Sequence, residues 1–318
     1  MRVVTTELNE PVESLLHRLP ANPTTFIRHG DGLVGWGEAV RISANGADRF
    51  QQLATKWQSL IEKSEIEDAV NLPGTGLVAF GSIAFSDHSS IESVLVVPKV
   101  LLGSRDGRNW LTTIDGATLP APKEASGSQP SIRLAQGAQS VQGFEAAVGQ
   151  ALEHIASGRV EKVVLARDLV GTIPADFDLR TTLNRLAARY PSCWVYSVDG
   201  CFGASPELLV RVSHGQVSAR VLAGTAARGT DPAVDQAIGE ALANSHKNLA
   251  EHSFAVDSMA ASLQPFCDHV DADPTPFAMP LPNVWHLASD VHGVLNSSAT
   301  VLDLAAAIHP TAAVAGTP

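Results

Sequence analysis

Cysteine is scarce in this sequence, and its spacing gives no sign of a metal centre. The 318 residues include 3 cysteines, with no C-x-x-C pair and no cysteine–histidine cluster at zinc spacing. Disulfide-stabilised and zinc-binding chains use cysteine in such patterns. The composition therefore favours a reducing compartment and argues against a zinc site.

The sequence also lacks a long hydrophobic run. Its amino terminus has no apolar segment of the signal-peptide type, and the most apolar window, residues 94–102, is interrupted by Pro98 and Lys99. A membrane-spanning helix needs about 20 apolar residues. We therefore expect a cytoplasmic chain with no membrane partner. We also expect a monomer. With 45% hydrophobic residues, the chain can still bury a sizeable core.

Basic residues are outnumbered by acidic ones. Lys and Arg total 22 against 33 Asp and Glu, which gives a net charge of −11. Such a chain repels the phosphate backbone of nucleic acid, so we expect no nucleic-acid partner. An anionic metabolite can still bind where cations gather locally or where a metal ion mediates.

No nucleotide-binding pattern accompanies the glycines of residues 24–38. Gly30, Gly32, Gly35 and Gly37 alternate with apolar residues, but no G-x-G-x-x-G precedes a helix. The run predicts a β-hairpin of two short strands rather than a phosphate-binding loop.

Hydrophobic periodicity predicts a mixture of helices and strands along the rest of the chain. The predicted helices cover residues 47–63, 141–157, 179–189, 232–243, 245–264 and 301–308. The predicted strands cover residues 77–85, 93–102, 110–114, 160–170, 194–198, 201–204, 206–212, 217–222 and 283–295. Residues 115–131 are rich in Pro, Gly, Ser and Ala, which predicts a surface loop or a joint between two halves.

The predicted strand 160–170 carries a lysine among apolar residues. Side chains alternate along a strand, so Lys162 shares a face with Val160, Val164 and Ala166. If that face is buried, the amine loses hydration and can act as a base. Alternatively, Lys162 lies at a strand end and extends its amine to water.

Three further segments carry candidate functional groups. The strand predicted over 206–212 places Glu207 on the face opposite its apolar residues. The turn predicted over 223–229 is either an anion-binding loop of backbone N–H groups with Arg228, or a plain hairpin turn with a solvated arginine. On the helix over 245–264, Glu251 lies in a small, polar stripe and faces either solvent or a cleft that holds a cation.

Six ordered blocks together carry a family resemblance. They are VEKVVLAR at 160–167, GASPELLVRV at 203–212, LAGTAARG at 222–229, SHKNLAEH at 245–252, VWHLASDVHG at 284–293 and HPTAAVAGTP at 309–318. The sequence resembles the chorismate-utilising enzymes, and within them the isochorismate synthases. The resemblance is clear from about residue 140 onwards and weak before it.

The resemblance implies an α/β fold of the α+β type, like anthranilate synthase component I, with large antiparallel sheets flanked by helices. It implies a single chorismate-binding domain over 1–318, with a variable half 1–114, the loop 115–131 and a catalytic half 132–318. A cleft would bind chorismate and Mg²⁺, and the product would feed siderophore or menaquinone synthesis.

The resemblance also implies a role for individual residues. Lys162 matches the lysine that activates water for attack at C2, and Glu207 matches the acid that protonates the departing C4 hydroxyl. Glu251 matches a magnesium ligand. The implied substrate-binding residues are Gly224, Thr225, His286, Ala313 and Val314.

Three positions distinguish branches of the family. Lys162 favours water over ammonia as the nucleophile, and Ala223 replaces the nucleophilic lysine of aminodeoxychorismate synthases. Ala313 resembles isochorismate synthases rather than pyruvate-eliminating members, so salicylate synthase is the alternative within the family. An inactive binding homologue is the other alternative.

The sequence departs from the family pattern in two ways. His246, Asn248 and Ala312 replace the usual Glu, Asp and Pro. The family pattern also continues beyond GTP with an arginine for the substrate carboxylate and a second glutamate for magnesium, which this sequence does not include. We therefore expect the 318-residue chain alone to bind metal poorly and to have little activity.

Overall fold

The computed structural model describes residues 1–9, 12, 14–122, 132–296 and 298–317, which form mostly antiparallel sheets with flanking helices. The strands are β1 (Arg2–Leu8), β2 (Thr24–Arg28), β3 (Asp31–Trp36), β4 (Val40–Ala44), β5 (Glu65–Asp68), β6 (Phe80–Ser82), β7 (Ser93–Val97), β8 (Val100–Arg105), β9 (Arg108–Ile114), β10 (Leu134–Gln136), β11 (Lys162–Val163), β12 (Leu169–Gly171), β13 (Trp194–Val198), β14 (Cys201–Ser205), β15 (Leu208–Ser213), β16 (Gln216–Ala227), β17 (Cys267–Ala272), β18 (Phe277–Pro280), β19 (Val284–Leu295) and β20 (Gly316–Thr317). The helices are α1 (Arg49–Glu62), α2 (Val141–Ala156), α3 (Leu179–Arg189), α4 (Pro232–Ala243), α5 (His246–Leu263) and α6 (Val301–Ile308). The predicted fold class is confirmed.

The chain divides into two compact units. The first comprises Met1–Gly127, Asp178–Glu207 and Thr300–Ala306, and the second comprises Ser128–Phe177, Leu208–Ala299 and Ala307–Pro318. The first change of unit falls in the loop expected over 115–131, of which 123–131 lie outside the described residues. Each unit therefore combines segments that are distant in the sequence.

The first unit is built on an eight-stranded sheet in the order β14-β13-β2-β3-β8-β9-β1-β5, beside a three-stranded sheet β4-β7-β6. The predicted hairpin over 24–38 is confirmed, because β2 and β3 pair antiparallel from Thr24↔Gly35 to Arg28↔Asp31. The predicted helix over 47–63 is confirmed as α1, and its Leu53 packs into a buried cluster with β4 and β7.

The single strand predicted over 93–102 is wrong. The segment forms two strands in different sheets: Val97 pairs with Val40, whereas Val100 pairs with Trp36 on one side and Thr113 on the other. Pro98 lies between the two strands and has no N–H to donate to a ladder. The apolar run therefore changes sheet at the proline.

The second unit is built on the sheet β15-β16-β19-β17, with β18 also paired to β19. Alternate residues of β16, including Val217, Ala219 and Val221, are buried. The apolar stripe of α5 packs against the strands of this sheet. Ser245 caps α5 by accepting a hydrogen bond from the N–H of Asn248.

Two predictions for the second unit are wrong. The strand predicted over 160–170 is interrupted: β11 pairs with β20, β12 pairs with β10, and the residues between form no strand. The carboxylate of Asp168 instead accepts a hydrogen bond from the N–H of Ala138, at 2.9 Å. Residues 223–227 of the turn predicted over 223–229 belong to β16, which continues to Ala227 through a change of register between Leu222 and Thr225. A β-bulge replaces the turn.

No helix of the described residues is long and apolar enough to cross a membrane.

Candidate active site

Lys162 lies in an enclosed position in the second unit. Its side chain is 11% exposed, and its Nζ donates a hydrogen bond of 3.0 Å to the carbonyl oxygen of Ala312. The same Nζ lies 3.6 Å from Oε1 of Glu251. The amine therefore does not extend to water, but it contacts a carbonyl oxygen and a carboxylate rather than the apolar side chains of its predicted face, of which Val164 is 37% exposed.

Glu251 lies on helix α5 and approaches the amine of Lys162. Its side chain is 38% exposed, so it faces partly towards solvent and partly towards the Lys162 amine. The neighbouring stripe of α5, which includes Val256 and Met259, is buried. The stripe of small and polar residues predicted from the sequence therefore places the Glu251 carboxylate beside the Lys162 amine.

His252, the next residue on α5, fixes the position of the helix against two strands. Its ring is 2% exposed, with Nδ1 3.0 Å from the carbonyl oxygen of Ala223 and Nε2 3.0 Å from Oγ of Ser289. Because a carbonyl only accepts, Nδ1 donates to it, and a neutral ring then accepts from the Ser289 hydroxyl at Nε2. Burial lowers the pKa of His252; the hydrogen bond to Ala223 opposes this shift and the charge of Lys162 adds to it.

The sequence analysis did not predict this role of His252. The hydrogen-bonding partners lie 29 and 37 positions away in the sequence. A histidine at a core position of a helix is the only signal that the sequence gives. Its partners become visible only when the strands are in place.

Three of the predicted substrate-binding residues lie together at the bulge of β16. Thr225 pairs with His286 across the sheet, and Oγ1 of Thr225 lies 2.9 Å from Nδ1 of His286. Burial lowers the pKa of His286, and a hydrogen bond to the backbone of Gly224 opposes this shift. The structure therefore brings together residues from two of the sequence blocks.

Gly224 adopts a backbone conformation that suits glycine. Its φ is +88°, and a Cβ atom there would lie 3.3 Å from Cδ1 of Leu287 and 3.4 Å from Cβ of Asn248. Other residues rarely adopt this conformation, and a side chain would press on α5 and β19. A close approach of backbone to neighbouring elements therefore explains the glycine in the LAGT block.

The remaining substrate-binding candidates, Ala313 and Val314, lie in a turn beside β11. The N–H groups of Val314 and Ala315 both donate to the carbonyl oxygen of Thr311, and the carbonyl oxygen of Ala315 accepts from the N–H of Val164. Val314 is 46% exposed. This turn presents the carbonyl of Ala312 to the amine of Lys162.

Glu207 belongs to the first unit, immediately before β15. Its backbone N–H donates to Oγ of Ser205 at 3.2 Å, and the residue is partly buried. Its role as a general acid stays a prediction.

Arg228 does not form the anion-binding loop considered from the sequence. Its Nε donates to both carboxylate oxygens of Asp235 at 2.8 Å, and its Nη1 donates to the carbonyl oxygen of Leu281 at 2.7 Å. Its guanidinium also stacks over the ring of Trp285, 4.6 Å from the centroid. The arginine therefore joins α4 to the end of β19 and is not a solvated cation.

The described side chains do not form a complete magnesium site. Within those residues, no three His, Cys, Asp or Glu side chains are grouped so that they could hold a metal ion. Glu251 supplies one carboxylate, which already lies 3.6 Å from the amine of Lys162. Magnesium prefers a near-octahedral shell of oxygen atoms, so the fit is partial.

Comparison with known proteins shows the family to which the chain belongs. The sequence matches the family described as chorismate binding enzyme over residues 14–118 and 117–318. The chain belongs to the chorismate-binding enzyme family, as the sequence blocks predicted.

Similar proteins include a MenF protein of Mycobacterium tuberculosis, which is 35% identical over 259 residues, covering 77% of this chain and 65% of that protein. Isochorismate synthase DhbC of Bacillus subtilis is 37% identical over 187 residues, covering 55% of this chain and 47% of that protein. The chain thus spans about half to two thirds of the length of these relatives.

Two solved structures share the fold. One is MenF, the menaquinone-specific isochorismate synthase of Escherichia coli, with a TM-score of 0.74 and 23% identity over 99% of this chain and 76% of that chain. The other is anthranilate synthase component I of Streptococcus pneumoniae, with a TM-score of 0.69 and 20% identity over 94% of this chain and 75% of that chain. At these identities the likeness establishes the fold, including the predicted likeness to anthranilate synthase component I.

Proposed function

We propose that this chain carries the catalytic groups of an isochorismate synthase, which converts chorismate to isochorismate by attack of water at C2 and loss of the C4 hydroxyl. The observation that carries the proposal is the enclosed amine of Lys162, held between the carbonyl of Ala312 and the carboxylate of Glu251. Family membership and relatives named as isochorismate synthases support it.

The proposed chemistry requires a base and an acid. Lys162 takes a proton from the attacking water, and Glu207 donates a proton to the departing hydroxyl. The hydrogen bond to Ala312 fixes the direction of the Lys162 amine, which a base must have before it can act on a bound water. Groups in such roles typically contribute about 10²- to 10⁴-fold each to the rate.

The proposed substrate contacts lie at the bulge of β16 and in the turn after α6. The Gly224–Thr225 backbone departs from regular pairing at the bulge, which would bring it close to a ligand. His286 offers its imidazole beside Thr225. Ala313 and Val314 would form the apolar side of the same site.

Magnesium is proposed as the cofactor, with Glu251 as one ligand. When bound, Mg²⁺ would neutralise the negative charge of a dicarboxylate substrate in a chain whose net charge is −11. Further oxygen ligands would have to come from substrate, from water or from groups that the described residues do not provide.

A cytoplasmic, monomeric enzyme that supplies siderophore or menaquinone synthesis is proposed on the same grounds. One similar structure is described as a menaquinone-specific isochorismate synthase, and another as specific for 2,3-dihydroxybenzoate. The sequence favours neither the siderophore pathway nor the menaquinone pathway.

The experiment is product analysis after incubation with chorismate and Mg²⁺. It uses this chain alone and a chimera that adds the part of Mycobacterium tuberculosis MenF outside the matched 65%. We expect isochorismate from the chimera and little from the chain alone. Salicylate with pyruvate would instead support the salicylate synthase alternative, and a folded chimera without turnover would support an inactive binding homologue.

A further inference from the structure

The ladder between β16 and β19 is short beyond the bulge of β16. It consists there of the pairs Thr225↔His286, Ala226↔Trp285 and Ala227↔Val284. The first pair carries the close contact between Oγ1 of Thr225 and Nδ1 of His286. A bulge interrupts the hydrogen bonds that fix one strand against the other, so a short ladder beyond it needs a further constraint to keep its register.

The carboxylate of Asp235, on helix α4, joins the two strands at the end of this short ladder. Its Oδ1 accepts hydrogen bonds from the backbone N–H of Gly229, at 2.8 Å, and from Nε1 of Trp285, at 3.0 Å. Nε of Arg228 donates to both of its oxygens at 2.8 Å. Arg228 and Gly229 directly follow β16, whereas Trp285 lies in β19. One side chain therefore holds both strands.

Arg228 also binds the segment that leads into β19. Its backbone N–H donates to the carbonyl oxygen of Asn283 at 3.2 Å, and its Nη1 donates to the carbonyl oxygen of Leu281 at 2.7 Å. Its guanidinium lies over the ring of Trp285. We call the group formed by Arg228, Asp235 and Trp285 the Asp235 clamp.

The Asp235 clamp is closely packed against α4. A Cβ atom on Gly239, about one turn after Asp235, would lie 3.1 Å from Cε2 of Trp285, and Asp235 and Gly239 are both buried. The hydrogen bonds from Arg228 hold the pKa of Asp235 far below its ordinary value, so the carboxylate stays charged at neutral pH. A permanent charge and close packing therefore fix the position of Trp285.

The clamp requires a carboxylate rather than an amide of the same size. The hydrogen bonds named above all reach Asp235 from N–H donors, and an ionised carboxylate only accepts. An asparagine would present its own NH₂ group to at least one of these donors and would lose the ion pair with Arg228. The substitution Asp235→Asn therefore loosens the clamp without opening a cavity.

We propose that Asp235 is a positioning residue for substrate binding, because it fixes the register of the short ladder and so holds Thr225 and His286 in the geometry that meets the substrate. Trp285 and His286 are consecutive in β19, so their side chains lie on opposite faces of the sheet. The clamp acts on one face and the substrate contacts lie on the other. This inference rests on the proposed function, which makes Thr225 and His286 substrate contacts.

The test compares Asp235→Asn with Asp231→Ala in the chimera described above. Asp231 caps α4 by accepting from the N–H groups of Ala233 and Val234, so its loss weakens the same helix and leaves the clamp intact. Asp235→Asn should raise KM for chorismate at least about tenfold and change kcat by less than about threefold, because the misplaced groups bind substrate and transition state alike. Asp231→Ala should lower the unfolding midpoint without changing KM.

Trp285→Phe provides a second variant of the clamp. It keeps an aromatic ring for Arg228 and removes the Nε1–H that donates to Asp235. It should raise KM by less than Asp235→Asn does. The double variant should raise KM by less than the product of the two single effects, because both changes act on one hydrogen-bonded group.

Nuclear magnetic resonance of His286 tests the clamp without turnover. In this chain at about pH 7.5, where the ring is neutral, the chemical shifts of its two ring nitrogens should report one tautomer, fixed by the contacts with Thr225 and Gly224. Asp235→Asn should move both shifts towards the average of the two tautomers. Asp231→Ala should leave them unchanged.

Two kinetic results would overturn the proposal: an unchanged KM in Asp235→Asn, or an equal rise of KM in Asp231→Ala, which would reduce the clamp to a general effect on stability. If the unaltered chimera forms no isochorismate, the proposed function is wrong, and the His286 spectrum alone decides about the clamp. An Asp235→Asn spectrum identical to that of the unaltered chain would show that the clamp does not hold His286. The far-ultraviolet circular dichroism spectrum of each variant verifies that it has folded.

Discussion

The Nζ of Lys162 lies 3.6 Å from Oε1 of Glu251, although one residue belongs to a two-residue strand and the other to an 18-residue helix. A partly exposed pair at this distance contributes little to stability. The main effect of this pair is therefore to hold the enclosed Lys162 amine beside the Glu251 carboxylate, rather than to stabilise the fold.

The first prediction separates binding from stability at Glu251. Glu251→Gln should change the free energy of unfolding by less than about 1 kcal/mol, because the side chain is 38% exposed. Titration of the unaltered chain with Mg²⁺ should give weak binding, with a Kd above about 1 mM, since one carboxylate is an incomplete ligand set. The variant should lose even this binding. Tight binding by the variant would exclude Glu251 as a ligand.

The second prediction concerns the bridge made by His252. His252→Ala leaves the carbonyl of Ala223 and the hydroxyl of Ser289 without their partner and opens a cavity, which should lower the free energy of unfolding by about 3 kcal/mol. His292 lies on the exposed side of β19, and His292→Ala should cost less than about 0.5 kcal/mol. Urea unfolding of both variants provides the comparison. Equal midpoints would show that the bridge contributes nothing.

The third prediction uses two glycines with similar backbones. Gly224 and Gly215 have φ values of +88° and +78°, but a Cβ meets Leu287 and Asn248 only at the first position. Substitution of either by alanine should cost about 1 kcal/mol for the backbone alone. Gly224→Ala should cost more, because α5 or β19 must move. If both variants have the same unfolding midpoint, the close approach at the bulge is unimportant.

The fourth prediction is a pH dependence of stability. Burial lowers the pKa of His286 below its ordinary value of about 6.5, so the unfolded chain binds a proton more readily than the folded chain. The stability is therefore fully present above about pH 6.5 and decreases as the pH falls from there through the lowered pKa of the folded state. Urea midpoints at pH 7.5 and pH 5.5 should differ less in His286→Gln than in the unaltered chain.

The control for this pH experiment is His88→Gln, at an exposed histidine of the first unit. It should reproduce the pH dependence of the unaltered chain. A His286→Gln variant that does the same would contradict the assignment.

The parts of the fold that depend on local sequence could be predicted. The helices over 179–189, 232–243 and 301–308 begin and end where their periodicity and capping residues indicate. Asp231 caps α4 and Pro232 occupies its first turn, which is a signal that lies entirely within the sequence.

The errors occur where distant parts of the chain decide the structure. The apolar run 93–102 changes sheet because Val97 pairs with Val40 in one sheet and Val100 pairs with Trp36 in another. Arg228 contacts Asp235 on α4 and Trp285 on β19, and neither contact is predictable from the turn-like LAGTAARG block that contains it. The bulge resembles a turn in the sequence because Gly224 has a positive φ, and glycine with a positive φ is also common in turns.

The candidate site shows the same division. The family blocks predicted Lys162, Glu251, Thr225 and His286 as site residues. The structure places Lys162 beside Glu251 and Thr225 beside His286. The bridge of His252 was not predictable from the sequence, because its partners lie on two other strands.

The most direct measurement of the central claim is the rate of isochorismate formation by the chimera with and without the Lys162 amine. Lys162→Ala should reduce kcat by about 10²- to 10⁴-fold. Lys63→Ala, at an exposed lysine after α1, should leave kcat unchanged. Formation of isochorismate by a folded Lys162→Ala chimera at the unaltered rate would contradict the account.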